Sequence, residues 1–206
     1  MTEEQLAEFY ALAGYQVVHS DSGFWYSASP RVYHNLPPSE ARDPTRAELK
    51  QLFSRHRLYG VQYPSLSTGL PTARYILRDK QYGLQSLQRQ FRQHVRKGMK
   101  HCETRQIDFE QLHELGTPVN QDAMSRRTYT PPQFVDAARW KLFCDAGRRT
   151  PGVSVIAAFV DGALASYLIY AVVEETAYGL FMLSRADLRH FRPNQLPGLG
   201  VNTAIE

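Results

Sequence analysis

Three runs, 153-VSVIAAFV-160, 163-ALASYLIYAVV-173 and 177-AYGLFMLS-184, follow one another with two or three residues between them, and 195-QLPGLG-200 comes soon after. Each run is dense in β-branched and aromatic side chains, which suit a pleated strand better than a helix. Asp161-Gly162 between the first two is a hairpin pair, because a tight turn that matches strand twist needs positive φ angles that Asp and Gly reach cheaply. The stretch therefore reads as an antiparallel β-meander. Its third strand leads through Arg189 and Arg192 to Q-x-x-G-x-G, after which 201–206 begins in a helix-compatible way. Glycine lets backbone approach a ligand closely, and the unpaired N–H groups of a first helical turn attract phosphate. Such a loop suits a pyrophosphate, although Pro197 inside it removes one donor.

Working back from the meander, Leu84, Leu87, Phe91, Val95 and Met99 recur at spacings of three and four, which predicts a helix packed by that stripe. Arg92, Arg96 and Lys100 line a neighbouring face. Residues 87–105 hold six Lys/Arg against Glu103, leaving 18 basic and 19 acidic residues elsewhere, so the net charge of +4 comes from this one segment. A solvated face is the plain reading of such charge, and a surface for a phosphate-bearing ligand, a phosphorylated acceptor or tRNA is the functional one. DNA binding lacks a helix-turn-helix, zinc spacing or aromatic-interleaved motif to support it. Residues 101–107 read as a strand. Asp108-x-x-Gln111 caps a short helix ending at Gly116, and Thr130-Pro131-Pro132-Gln133 starts another with Phe134, Ala138 and Leu142 inward and a stop at Gly147.

The first part is mixed α/β. Thr2-x-x-Gln5 and Thr45-x-x-Glu48 are helix starts, and short strands are predicted over 16–19, 24–28, 32–36, 58–63 and 72–77. A length of 206 residues, 43% hydrophobic and 21% charged, suits one large domain or two small ones with a substantial core. The N-terminus lacks the basic and apolar regions of a signal peptide, and no apolar run is long enough to span a membrane, so cytoplasmic residence is expected.

In this setting Gln195, Gly198 and Gly200 resemble the donor loop of the GNAT superfamily of acyl-CoA-dependent N-acyltransferases. Arg92, Arg96, Lys97 and Gly98 resemble the R-x-x-x-R-K-G-type helix that opens the second half of its FemAB-like, tandem branch. The likeness runs over residues 85–206. It implies an α/β fold of the α+β type, a mainly antiparallel sheet flanked by helices, in two GNAT-like halves, 1–84 and 85–206. It further implies transfer of an acyl group from acyl-CoA, or from aminoacyl-tRNA, to an amine or peptide acceptor, without a metal. The pyrophosphate would sit at Gln195, Gly198 and Gly200, and the donor carbonyl against backbone N–H groups near Leu183 and Ser184. Glu174 or Glu175 is the candidate base and Tyr178 the candidate acid, with exposed turn carboxylates as the simpler account. Arg92, Arg96, Lys97 and Lys100 would form a polyanion or acceptor surface. Arg126-Arg127 after Gln121-Asp122 would face an acceptor, a helix end being the simpler reading.

A complete unit of that family continues past the donor helix with strand, helix and strand, whereas six residues follow the loop here. The resemblance thus implies a C-terminally incomplete second half, self-association through an uncovered strand edge and a silent enzyme when expressed alone. The competing class is a non-catalytic degenerate module that binds a polyanion or a partner protein through the basic helix. Seven histidines stand without metal or triad spacing, G-x-S-x-G is absent, and Cys102 and Cys144 read as buried reduced thiols. Tyr167 and Tyr170 fall on opposite faces of the central meander strand and read as packing residues.

Overall fold

A computed structural model of the chain describes residues 1–67 and 83–197. Helix α1 (Glu3–Leu12) starts at a capping box: Gln5 N–H donates to Thr2 Oγ1 at 3.3 Å and Thr2 N–H to Gln5 Oε1 at 2.8 Å. The first sheet follows as β1 (Val17–Ser20), β2 (Gly23–Ser29) and β3 (Val32–Leu36), paired antiparallel in that order. Helix α2 (Arg46–His56), capped by Thr45, then carries the chain over, so that β4 (Gly60–Gln62) joins β3 parallel. The strand predicted at 72–77 lies outside the described residues.

Helix α3 (Arg89–His101) leads to β5 (Glu103–Ile107), and α4 (Phe109–Ser125) and α5 (Ala137–Arg149) precede the meander β6 (Val153–Val160), β7 (Ala163–Val173) and β8 (Thr176–Ser184). The second sheet is antiparallel in the order β5-β6-β7-β8, with β8 at an edge among the described residues. The β6–β7 hairpin turns as expected, Asp161 at φ 48° and Gly162 at φ 77°. Among the described residues, two four-stranded, mostly antiparallel sheets flanked by helices make the α/β architecture of mainly antiparallel strands that the sequence led us to expect.

Strand periodicity sets the core. Tyr167, Ile169, Ala171 and Val173 of β7, with Val155 and Ala157 opposite on β6 and Leu183 on β8, share a buried face. Against it pack Leu6, Phe9 and Tyr10 of α1, Leu112 and Val119 of α4, and Phe143 of α5. Each of the large side chains among them is worth about 1.5–3 kcal/mol of burial. The first helix of the chain thus fills the core of the second sheet, while Trp25, Tyr33, Leu52 and Leu58 form a smaller cluster around the first.

Two helices depart from expectation for one reason. Helix α4 runs through Gly116 to Ser125, and α5 starts at Ala137 under the Asp136 cap and continues past Gly147. Neither glycine is a stop. A Cβ on Gly116 would lie 2.7 Å from the Trp140 ring, and one on Gly147 would overlap the Phe109 ring, so both mark places where another element presses onto a helix. The buried face of α5 is accordingly Trp140, Phe143, Cys144 and Gly147, and Leu142, expected inside, is 46% exposed.

Buried Glu48 of α2 clamps the turn before β2. It accepts from Ser20 Oγ at 2.5 Å, Ser22 N–H at 3.0 Å and Ser22 Oγ at 2.6 Å, while Trp25 Nε1 donates to Ser20 Oγ at 2.7 Å. Burial alone would raise this carboxyl, but the hydrogen bonds from Ser20 and Ser22 outweigh it and hold the group below the usual carboxylate range.

Two outcomes follow. Gly147→Ala, which in an open helix would stabilise by about 1 kcal/mol, should destabilise by about 1–3 kcal/mol through the forced contact with Phe109; urea denaturation reads the sign. Because Glu48 is lowered in the folded state, its contribution is full above the ordinary value of 4.5 and is lost as pH falls through the folded value. Glu48→Gln should therefore lower stability at neutral pH and flatten the decline below pH 4.5. Parallel pH profiles of urea midpoints for the two proteins would refute the clamp.

Candidate active site

The site is built on the end of β8. Arg185 N–H donates to Ala165 O at 2.9 Å, so these two form a bonded pair and the next pair, Ser184 with Ser166, is a non-bonded one. The backbone groups of Ser184, and by the same alternation those of Met182, therefore turn outward from β7 to the open side of the sheet. Leu183 between them pairs inward with Tyr167, and its side chain is buried. Of the two residues expected to face a donor carbonyl, Ser184 presents its N–H and Leu183 does not.

The last turn of α4 holds this strand end. Arg126 Nη2 donates to the outward Ser184 carbonyl at 2.7 Å, and Asp122 Oδ2 accepts from Arg126 Nη2 and from Ala186 N–H, both at 2.7 Å. The dipeptides flagged as acceptor-facing or helix-ending thus supply a staple across the chain.

Beyond Ala186 the chain makes two short 3-10 turns, Arg189–Phe191 and Pro193–Gln195, with Arg192 between them at φ 65°. This segment lies on α3 because Gly98 carries no side chain: a Cβ there would stand 3.1 Å from Arg192 O and 3.1 Å from Leu196 Cγ. Cys102 Sγ reaches Phe191 O at 3.7 Å, and the His101 and Phe191 rings are 5.4 Å apart. Asn194 Nδ2 donates to Ser184 Oγ at 2.9 Å, so the loop that carries half-buried Gln195 is tied to the strand end. Gly198 and Gly200 lie outside the described residues. Ser166 Oγ and Asn194 Oδ1 are buried beside Ser184 and have no partner among the described residues. Sequence reasoning missed Asn194, which stands next to the motif it read.

The basic helix is split in use. The Arg92 guanidinium donates to Leu87 O at 2.9 Å and Gln85 O at 3.4 Å, so this cation supports the turn before the helix. Arg96, Lys97 and Lys100 are exposed, α3 contains no acid, and none of the three forms an ion pair among the described residues. With about 100° per residue, Lys97 flanks the covered Gly98 face while Arg96 and Lys100 stand about 160° from it.

Glu174 and Glu175 form the exposed β7–β8 turn at the opposite end of β8, about 30 Å of strand from Ser184. Tyr178 is about 20 Å away, and its hydroxyl donates to Glu40 Oε1. The structure therefore brings Ser184 and Gln195 together, with Asp122, Arg126 and Asn194, and separates them from the three residues considered as base and acid. Burial raises the thiols of Cys144 and Cys102, and no group of three or more His, Cys, Asp or Glu is placed to hold a metal among the described residues. Nor, among them, is any helix long and apolar enough to cross a membrane.

No protein-family model matches the chain, and no curated protein matches its sequence significantly. Solved structures do resemble it. FemX superposes with a TM-score of 0.58 at 12% identity over 98% of this chain and 79% of its own. The C-terminal DUF2156 domain of a candidate lysylphosphatidylglycerol synthetase from Agrobacterium fabrum gives 0.53 at 12% identity, over 99% of this chain and 71% of its own. At these identities the likeness is one of fold, and the fold it supports is the GNAT-like one.

Proposed function

We propose that the protein is an acyltransferase that holds an anionic donor, acyl-CoA or aminoacyl-tRNA, along the open edge of β8. The observation that carries this reading is the junction at Ser184: an outward backbone N–H at the end of a strand that is an edge among the described residues, tied through Asn194 to the loop of Gln195, with Lys97 of α3 flanking the face that loop covers. The amine nitrogen of the acceptor attacks the donor carbonyl carbon, the bond to the thiol or ribose oxygen breaks, and the amine proton passes to a base. Negative charge gathers on the carbonyl oxygen, where the Ser184 N–H donates, and a fixed donor at that point stabilises the transition state more than the ground state. Holding the two reactants together supplies much of the remainder. Gln195, Gly198 and Gly200 take the donor's phosphates, and Lys97 beside the loop adds charge.

Arg126 and Asp122 keep the strand end in place, and Asp122 is the carboxylate that the fold brings to the site. Glu174, Glu175 and Tyr178 have no part in this mechanism, being about 20–30 Å away. Of the two similar structures, the second is by its name from a lysylphosphatidylglycerol synthetase, which supports a reading as transfer of an aminoacyl group. A non-catalytic module that binds a polyanion through Arg96, Lys97 and Lys100 is the second reading, favoured by the absence of acids in α3.

The Ser184 N–H faces away from the ladder, so proline can replace this residue without breaking a β7–β8 hydrogen bond. Ser184→Pro should lower kcat by about 10²–10³-fold relative to Ser184→Ala, which loses the same hydroxyl tie to Asn194 but keeps the N–H. Steady-state rates with acetyl-CoA and with aminoacyl-tRNA against a panel of amines read this directly. Wild-type turnover in Ser184→Pro would overturn the assignment, and donor binding without turnover in any protein would favour the second reading.

A further inference from the structure

The stripe that predicts the packing of α3, like that of α5, is a place where the periodic signal and the observed burial part company. Of Phe91, Val95 and Met99, one row along the helix, Val95 is buried, but Phe91 is 53% and Met99 62% exposed. The loop over Gly98 covers only the C-terminal half of the packed face. The parallel row, Arg92, Arg96 and Lys100, lies one position on, and Arg89 and Lys97 are also exposed. A 13-residue helix, about 20 Å long, thus shows water two large apolar side chains beside four exposed cations and no acid.

We propose that α3 docks the protein on an anionic phospholipid surface. Phe91 and Met99 enter the boundary between headgroups and acyl chains, while Arg96 and Lys100 lie along the surface with their apolar stems buried and their charges on lipid phosphates. That division of labour is what an interfacial amphipathic helix requires: an apolar row for insertion and basic residues for attraction to anionic lipid. A nucleic acid fits less well. Met99 has no plane on which a base can stack, Phe91 is the single ring on the exposed row, and Arg92 is spent on the carbonyls of Gln85 and Leu87. The inference stands apart from the acyltransfer reading, since no residue named in it touches Ser184 or Gln195.

Vesicle flotation tests it with the whole chain. Wild type should float with phosphatidylcholine vesicles that contain phosphatidylserine and not with phosphatidylcholine alone. The double variant R96Q/K100Q should partition about twenty-five-fold less, at about fivefold for each basic residue. F91S/M99S should partition about tenfold less at unchanged charge. Thermal melting that matches wild type keeps both variants interpretable. In F91W the new indole should shift to the blue on adding anionic vesicles, against a quiet background from Trp25 and Trp140, which are buried. No flotation, equal flotation with neutral vesicles, undiminished partition of F91S/M99S, or capture of the protein from vesicles by RNA would each overturn the proposal.

Discussion

The fold around the site depends on a missing side chain. At Gly98 the backbone of the segment after β8 lies directly on α3, close enough that one added carbon would meet the Arg192 carbonyl and the Leu196 side chain at 3.1 Å each. That contact fixes where the chain goes once it leaves the meander. It turns Asn194 back to Ser184, brings Gln195 beside the strand end and places a cationic helix next to it. Gly116 under Trp140 and Gly147 under Phe109 repeat the device in α4 and α5, so α3, α4 and α5 are each seated by close approach at a glycine. Interiors packed this tightly feel a single methyl group.

Those same glycines explain what sequence reading recovers and what it does not. Strands of the meander are legible because their apolar runs, turn residues and lengths agree, and the caps at Thr2, Thr45 and Asp108 are legible because a cap is a local arrangement of four residues. Helix ends fail at Gly116 and Gly147, where glycine looks like a terminator and is in fact a contact. Only a neighbour distant in sequence separates the two meanings. The inward face of α5 fails for a related reason: Leu142 and Phe143 are equally apolar, and the choice between them is made by what α1 and α4 present.

The site divides along the same line. Ser184, Gln195 and the basic helix are recognisable from order along the chain, and the fold does gather them. The candidate base and acid stand near the hairpin in sequence, but a strand of nine residues carries its two ends far apart, and Glu174, Glu175 and Tyr178 sit away from the Ser184 end. What stands at the Ser184 end is Asp122 with Arg126, brought in by α4 from more than fifty residues upstream.

In the proposed function an anionic donor lies along the outer edge of β8, from Ser184 to the loop at Gln195. The most direct measurement is an amide chemical-shift titration of the ¹⁵N-labelled chain with CoA and, separately, with aminoacylated tRNA. The account predicts that at least one of them perturbs the amides of Met182, Ser184, Asn194 and Gln195 together and leaves the turn at Glu174 and Glu175 unmoved. Perturbations that centre on that turn, or on the first sheet, with Ser184 and Gln195 silent for both donors, would contradict it.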